Sequence, residues 1–222
     1  MQQHVENDVE EPKWRRRPEK RPDDILDGAL VEFRERGFAG ARIEDIAKRA
    51  GLSKGSVYLY FSSKEEMLKA LIRRSVSPIA VELKSISDHL CDECSHEPAA
   101  DVLRKMLLIV GENITDRKVS SIPLVIIGEA GNFPEHAAFY REEVIEVTMG
   151  ALKTVISRGI EAGEFRDVDV TYAIRTLMGV IIMQTVWNGV FAKKHEQDLS
   201  MKDLIEAHLD IYLNGIMMPR ET

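Results

Sequence analysis

The sequence predicts an all-α fold, and three observations carry that prediction. Helix-favouring Leu, Ile, Ala, Glu and Met are plentiful, while aromatic residues make up only 6% of the 222 residues. Apolar positions recur at three- and four-residue steps along most of the chain, and strand-like alternation is absent. Pro and Gly fall at the edges of these periodic stretches, where they start and stop helices. With 44% apolar and 30% charged residues the chain can bury a real core. Its length suggests one domain plus a smaller one.

Residues 1–20 carry no hydrophobic period and read as a flexible arm that is acidic first and then basic. Helix 1 is predicted over 22–36. Pro22 is a favoured first residue, and Asp23, Asp24 and Asp27 sit near the positive end of the dipole. Ile25, Leu26, Ala29, Leu30 and Phe33 form one stripe, and Gly37 can take the left-handed stop. A second helix spans about 43–50, with Ile43, Ile46, Ala47 and Ala50 on one face. A very short third runs from Ser53 to about Tyr60, anchored by Val57 and Phe61. Ser63-Lys64-Glu65-Glu66 has the capping-box form and opens a fourth helix, which Pro78 should kink or end. Further helices are predicted over 98–115, 121–130, 134–162, 169–192 and 200–217, about nine in all. The most apolar stretch, Leu177–Ala192, is interrupted by Gln184, Thr185 and Asn188, so it reads as a buried helix and no membrane partner is expected.

Charge divides the chain. Residues 1–11 carry four acids and no base, 12–75 carry 16 bases and 10 acids, and 76–222 carry 14 bases and 23 acids, within a whole-chain net of −7. Any polyanion binding therefore belongs to the first third. The polar, acidic N-terminus shows no secretory signal, and two cysteines are too few for a disulfide framework, so a cytoplasmic location is expected.

The informative stretch runs from Ile43 to Phe61. Ala47 falls where two helices cross, Gly51 lies four residues later where a sharp turn needs positive φ, and Val57 returns the second helix onto the first. That spacing is a helix-turn-helix. Its second helix opens with Ser53-Lys54-Gly55-Ser56, small and polar enough to approach a major groove. Tyr58 and Tyr60 can offer hydroxyls to phosphates, and residues 42–64 are net positive.

Gly37-Phe38, Ile46-Ala47, Ala50 through Tyr58, Tyr60-Phe61 and Lys64-Glu65 together resemble the N-terminal motif of TetR/AcrR-family transcriptional regulators. The resemblance covers about 22–70. It implies a three-helix DNA-binding head, a linking fourth helix, and a helical body that dimerises and binds a small ligand. It implies that Ser53, Lys54, Gly55, Ser56, Tyr58 and Tyr60 face DNA and that Lys64 contacts phosphate. Arg42 stands where the family often has Thr; it can bind phosphate but is a poor helix cap. Arg15-Arg16-Arg17 reads either as an arm that binds phosphate or the minor groove, or as a solvated tail.

The body is less legible. Gly128 to Glu135 resembles the segment before the long seventh helix in a branch with many efflux-pump repressors, which hints at apolar effectors. Candidate pocket residues are Met106, Val110, Asn113, Ile127, Phe133, Phe139, Met149, Met178, Ile182 and Trp187, although any single one of them reads first as core. Segments 169–192 and 200–217 are apolar on more than one face, with Gly179, Gly189 and Gly215 permitting close approach, which predicts a four-helix interface in a homodimer, the alternative being one larger monomeric core. His89-x-Cys91-x-x-Cys94-x-His96 reads as a metal site, a thiol sensor or an incidental loop. His136, beside Glu135, is expected at a helix start.

The domains expected are an arm over 1–20, a DNA-binding head over 21–66, and a ligand-binding and dimerisation body over 67–222. The function expected is a repressor released from a palindromic double-stranded DNA operator by a small apolar effector. No catalytic residue, metal or cofactor is expected, because no nucleophile elbow, glycine-rich phosphate loop or His-Glu-x-x-His is present. The alternatives are a helical binding protein or enzyme with a vestigial head, and a metal- or thiol-responsive regulator using Cys91 and Cys94.

Overall fold

The computed structural model of the chain describes residues 21–90, 97–192 and 199–217. The arm and the Cys91/Cys94 cluster lie outside the described residues. Counting a bent fourth helix once, the described residues form nine helices.

Helix α1 is Arg21–Gly40, with Ile25, Leu26, Ala29, Leu30 and Phe33 buried along one stripe. Helical geometry breaks at Gly37 (φ 72°, ψ 165°), a region open essentially only to glycine, and one further turn follows. Helix α2 is Ile43–Arg49 and α3 is Lys54–Tyr58. Between them Gly51 takes φ 65°, and the Leu52 N–H donates to the Ala47 carbonyl at 2.9 Å, closing the turn. Val57 is fully buried in the first core, where α3 packs on α2, burial worth about 1.5–3 kcal/mol. α1 and α2 also come close at Gly28, where a Cβ would sit 3.1 Å from the Ile46 carbonyl oxygen.

Helix α4 spans 64–90 in two halves, Lys64–Ser75 and Ser77–Leu90. Ser63 caps it by accepting from the Glu66 N–H, but Glu66 reaches back to the Ser62 N–H (2.6 Å), one residue before the partner expected of a capping box. The helix bends at Val76 (φ −117°), because Pro78 lacks an N–H and crowds the preceding turn. It then resumes, so 77–90 is helix that the sequence reading stopped short of.

Helix α5 is Ala99–Ile114 and α6 is Arg117–Glu129. Asp116 caps α6 by accepting from Lys118 N–H at 2.7 Å, so α6 starts four residues before the predicted 121 and places Pro123 inside the helix. Helix α7 runs over 134–161 through a π-helical turn at Arg141–Ile145. Helix α8 is Val170–Phe191, with a π-helical last turn from Trp187, and α9 is Met201–Ile216.

Two cores result. The first joins α1, α2, α3 and the first half of α4, and it takes in Ile122, Val125 and Ile126 of α6 and Val144 of α7. The second joins the later half of α4 to α5, the end of α7, α8 and α9. Helix α6 thus packs against α1 while its neighbours belong to the second core. Among the described residues α8 alone is long and apolar enough to cross a bilayer by length and composition. The expectation that α8 is a buried helix holds on one face only. Ile174, Leu177 and Ile181 are buried, whereas Tyr172, Met183, Val190 and Phe191 are exposed.

Candidate nucleic-acid interface and effector cavity

At the start of α3 the Ser53 hydroxyl accepts from the Ser56 N–H (3.1 Å) and lies 2.9 Å from the Ser56 hydroxyl. Ser53 is therefore the helix cap as well as a predicted DNA contact. Lys54 donates to Glu44 at 2.5 Å, and its ammonium lies 6.0 Å from the centre of the Tyr58 ring. That pair lowers the Glu44 pKa and raises that of Lys54, each chiefly through the shared hydrogen bond. Gly55 is exposed, as are Tyr58 and, most of all, Leu59, which the sequence reading did not single out. Arg42 is exposed before α2 and makes no capping hydrogen bond, as its side chain predicts. Arg42, Ser53, Lys54, Gly55 and Tyr58 are thus exposed, and Ser56 is half-buried beside Ser53.

Two predicted residues point elsewhere. Tyr60 packs partly into the first core. Lys64 donates to the carbonyls of Phe38 (2.7 Å), Ala39 (3.2 Å) and Ala41 (2.9 Å) and lies 4.9 Å from the Phe38 ring centre. Its ammonium closes the α1–α2 turn instead of facing outward. Arg49 is spent similarly, on the buried Glu32 (2.5 Å) and on Glu35, and Glu32 leads in raising its pKa. Of the four cations over residues 42–54, Arg42 and Lys48 have no ion pair among the described residues.

Below the head a cavity of about 380 Å³ lies between the second half of α4, α5, α6, α7 and α8. Its walls are almost wholly apolar, from Val76, Ile79 and Leu83 of α4 to Ile181 and Val186 of α8. Of the predicted ligand residues, Val110, Ile127, Met149, Met178 and Ile182 line it. The other five lie outside the lining for distinct reasons. Met106 is sealed in the second core. The Asn113 amide donates to the Ile109 carbonyl at 2.9 Å. Phe133 stacks on His136, Phe139 lies under Lys69 and Arg73, and Trp187 packs on Phe191 at the end of α8. Periodicity marks the apolar face of a helix but not which part of it meets a void. Tyr140, Thr148 and Thr185 are the polar residues in the wall, and the Thr185 hydroxyl is spent on the Ile181 carbonyl at 2.8 Å. Burial pushes the Tyr140 phenol up to about 12, so it stays a neutral donor. A larger groove of about 910 Å³, bordered by Arg34, Arg117 and Lys202, shares Ile114 and Thr185 with the cavity.

Two family descriptions match this chain: "Bacterial regulatory proteins, tetR family" over residues 25–71 and "Tetracyclin repressor-like, C-terminal domain" over 96–194. The chain belongs to the TetR family. It is a TetR-family DNA-binding transcriptional regulator, with the turn at Gly51 and the reading helix α3 inside the first match. Among its relatives is the repressor KstR2 of Mycobacterium tuberculosis, 27% identical over 197 residues, covering 87% of this chain and 91% of that one. Two solved TetR-type structures show the same fold. SmeT, the repressor of the Stenotrophomonas maltophilia multidrug efflux pump SmeDEF, was solved with triclosan (22% identity, TM-score 0.72, 90% and 93% of the two chains). FadR of Bacillus subtilis was solved with stearoyl-CoA (21% identity, TM-score 0.65, 87% and 98% of the two chains). Among the described residues of this TetR-family chain, no group of three His, Cys, Asp or Glu side chains gathers to hold a metal ion.

Proposed function

We propose that this regulator is a cytoplasmic homodimeric repressor, without enzymatic activity, that an apolar effector releases from a palindromic operator. The observation that carries the reading is a polar reading helix held over an apolar cavity, with one helix, α6, packed against α1 and forming a wall of the cavity. The exposed Arg42, Lys54 and Tyr58 of the head support duplex contact in the major groove. The cavity has no acid, base or amide in its walls. A charge buried there would lose its hydration without a partner, so the enclosed part of the effector is uncharged. KstR2 as a repressor, stearoyl-CoA in FadR and triclosan in SmeT support the same class of regulator and ligand.

The dimer rests on the outer face of α8 and α9. Tyr172, Met183, Val190 and Phe191 are exposed on α8 and Ile211 on α9, and a Cβ at Gly179 or Gly215 would meet nothing within 4 Å. An exposed apolar face of this extent calls for a partner. A two-fold dimer sets two α3 helices about 34–36 Å apart or a multiple, as successive major grooves require.

The test is selection of bound DNA by the purified full chain, followed by affinity at several salt concentrations. A palindrome, bound with affinity that falls steeply with salt, is expected. Lys54→Ala and Tyr58→Phe should each weaken it, by about 1–3 kcal/mol where a base contact is lost. Recovery of no preferred sequence, or wild-type affinity in both variants at matched salt, would overturn the reading.

A further inference from the structure

The turn between α1 and α2 is held from two sides. Its carbonyls, at Phe38, Ala39 and Ala41, are bound by Lys64 of α4. Its N–H groups are bound from the body. Glu129, the last residue of α6, accepts from the Phe38 N–H at 2.7 Å and from the Ala39 N–H at 3.5 Å, ninety residues away in sequence. The approach is close enough that a Cβ on Gly37 would lie 2.7 Å from the same Glu129 oxygen. Only glycine fits both the contact and the backbone conformation there.

Glu129 also sits between two cavity residues, Ile127 and Ala130, and Pro123 and Ile126 of the same helix line the cavity as well. Proline at position 123 removes one backbone hydrogen bond from α6, which makes that segment easier to bend. We propose that Glu129 is the positioning residue that couples the cavity to the DNA-binding head. A body occupying the cavity shifts the end of α6, and the Glu129 carboxylate carries that shift to the turn that aims α2 and α3. Coupling between two sites is a free energy that this contact supplies, so removing the contact should leave each site intact and abolish their dependence on one another.

The inference rests on the repressor reading for its DNA arm only. A built-in probe replaces the effector: Thr148→Trp fills the cavity from α7, on a different helix from Glu129. Operator affinity of the full-length dimer is measured for wild type and Thr148→Trp, then again in Glu129→Ala and Glu129→Gln backgrounds. The filler should change wild-type affinity about tenfold, within the usual range of such couplings. In Glu129→Ala the change should shrink below about twofold, with Glu129→Gln, which keeps an acceptor oxygen, between the two. Amide exchange at Phe38 and Ala39 is followed in parallel without DNA, and in Glu129→Ala it should accelerate while other α1 amides stay protected. The coupling role is overturned if the filler acts equally in both backgrounds, if it has no effect in wild type, or if those amides exchange as in wild type. A wild-type protein that selects no operator would instead sink the repressor reading, leaving the exchange arm to judge the contact.

Discussion

At Gly37 one residue satisfies two demands. Its φ of 72° and ψ of 165° exclude side chains, and the Glu129 carboxylate occupies the space a Cβ would need. Gly37→Ala should lose about 1–3 kcal/mol of stability, read by denaturant titration. A loss under about 0.5 kcal/mol, typical of neutral surface sites, would show that the turn relaxes freely. Lys54 presents a different case. Its sequence position marks it as a DNA contact, and the structure shows it already held by Glu44 at 2.5 Å. While Glu44 holds that ammonium the pair offers no net charge to a phosphate, so the acid would lower affinity without touching the duplex. Glu44→Gln should raise affinity for non-operator DNA and steepen the salt slope by about 1, the effect of one more phosphate contact. An unchanged slope would mean that Lys54 leaves its partner on DNA in either protein.

At the scale of elements, the junction between α1 and α7 is built on His136. Its ring is buried, lies 4.4 Å from the Phe38 ring centre and stacks on Phe133, and neither ring nitrogen has a hydrogen-bond partner among the described residues. Burial leads in lowering its pKa; Glu135, Glu65 and Glu129 oppose that and Lys69 reinforces it. A base whose folded pKa is depressed binds a proton more readily when unfolded. Stability from this junction is therefore complete above the ordinary histidine value and is lost as pH falls below about 6.5. The lowered carboxylates Asp27, Glu65 and Glu66 act in a separate, more acid window, starting near their ordinary values around 4. Replacing His136 by Phe should flatten the stability profile between about pH 5 and 7 while leaving the acid limb. An unaltered slope in that interval would assign it to another group. The bend of α4 at Val76 belongs to this scale too. It lets one helix serve the first core with Met67, Leu68, Leu71 and Ile72 and the second with Leu83 and Leu90.

For the whole molecule, the proposed dimer rests on the exposed apolar surface of α8 and α9. Ile211 is 74% exposed on α9, with Tyr172 and Phe191 similarly open on α8. Ile211→Glu should turn the dimer into monomers in sedimentation or scattering, because a carboxylate in that interface would be buried without a partner. Operator affinity should fall about 10²-fold or more, since the two heads no longer bind as one bivalent unit. A fully dimeric Ile211→Glu would place the interface elsewhere.

What the sequence determined by itself is local. The short third helix, the positive-φ glycines at 37 and 51 and the cap at Ser63 follow from side chains within one turn of their partners, so adjacent residues suffice to predict them. Helix types likewise follow from the apolar period. Partners across the chain were decided only by tertiary structure. Lys54 and Lys64 carry the same charge ten residues apart, yet one lies on the outward surface and the other caps a turn, because only packing brings Phe38 and Ala41 to Lys64. Gly28, Glu129 and Tyr140 looked ordinary in the sequence because their roles depend on what α2, the head turn and the cavity place against them. An apolar stripe fixes which side of a helix turns inward, whereas the void it meets is set by five helices at once.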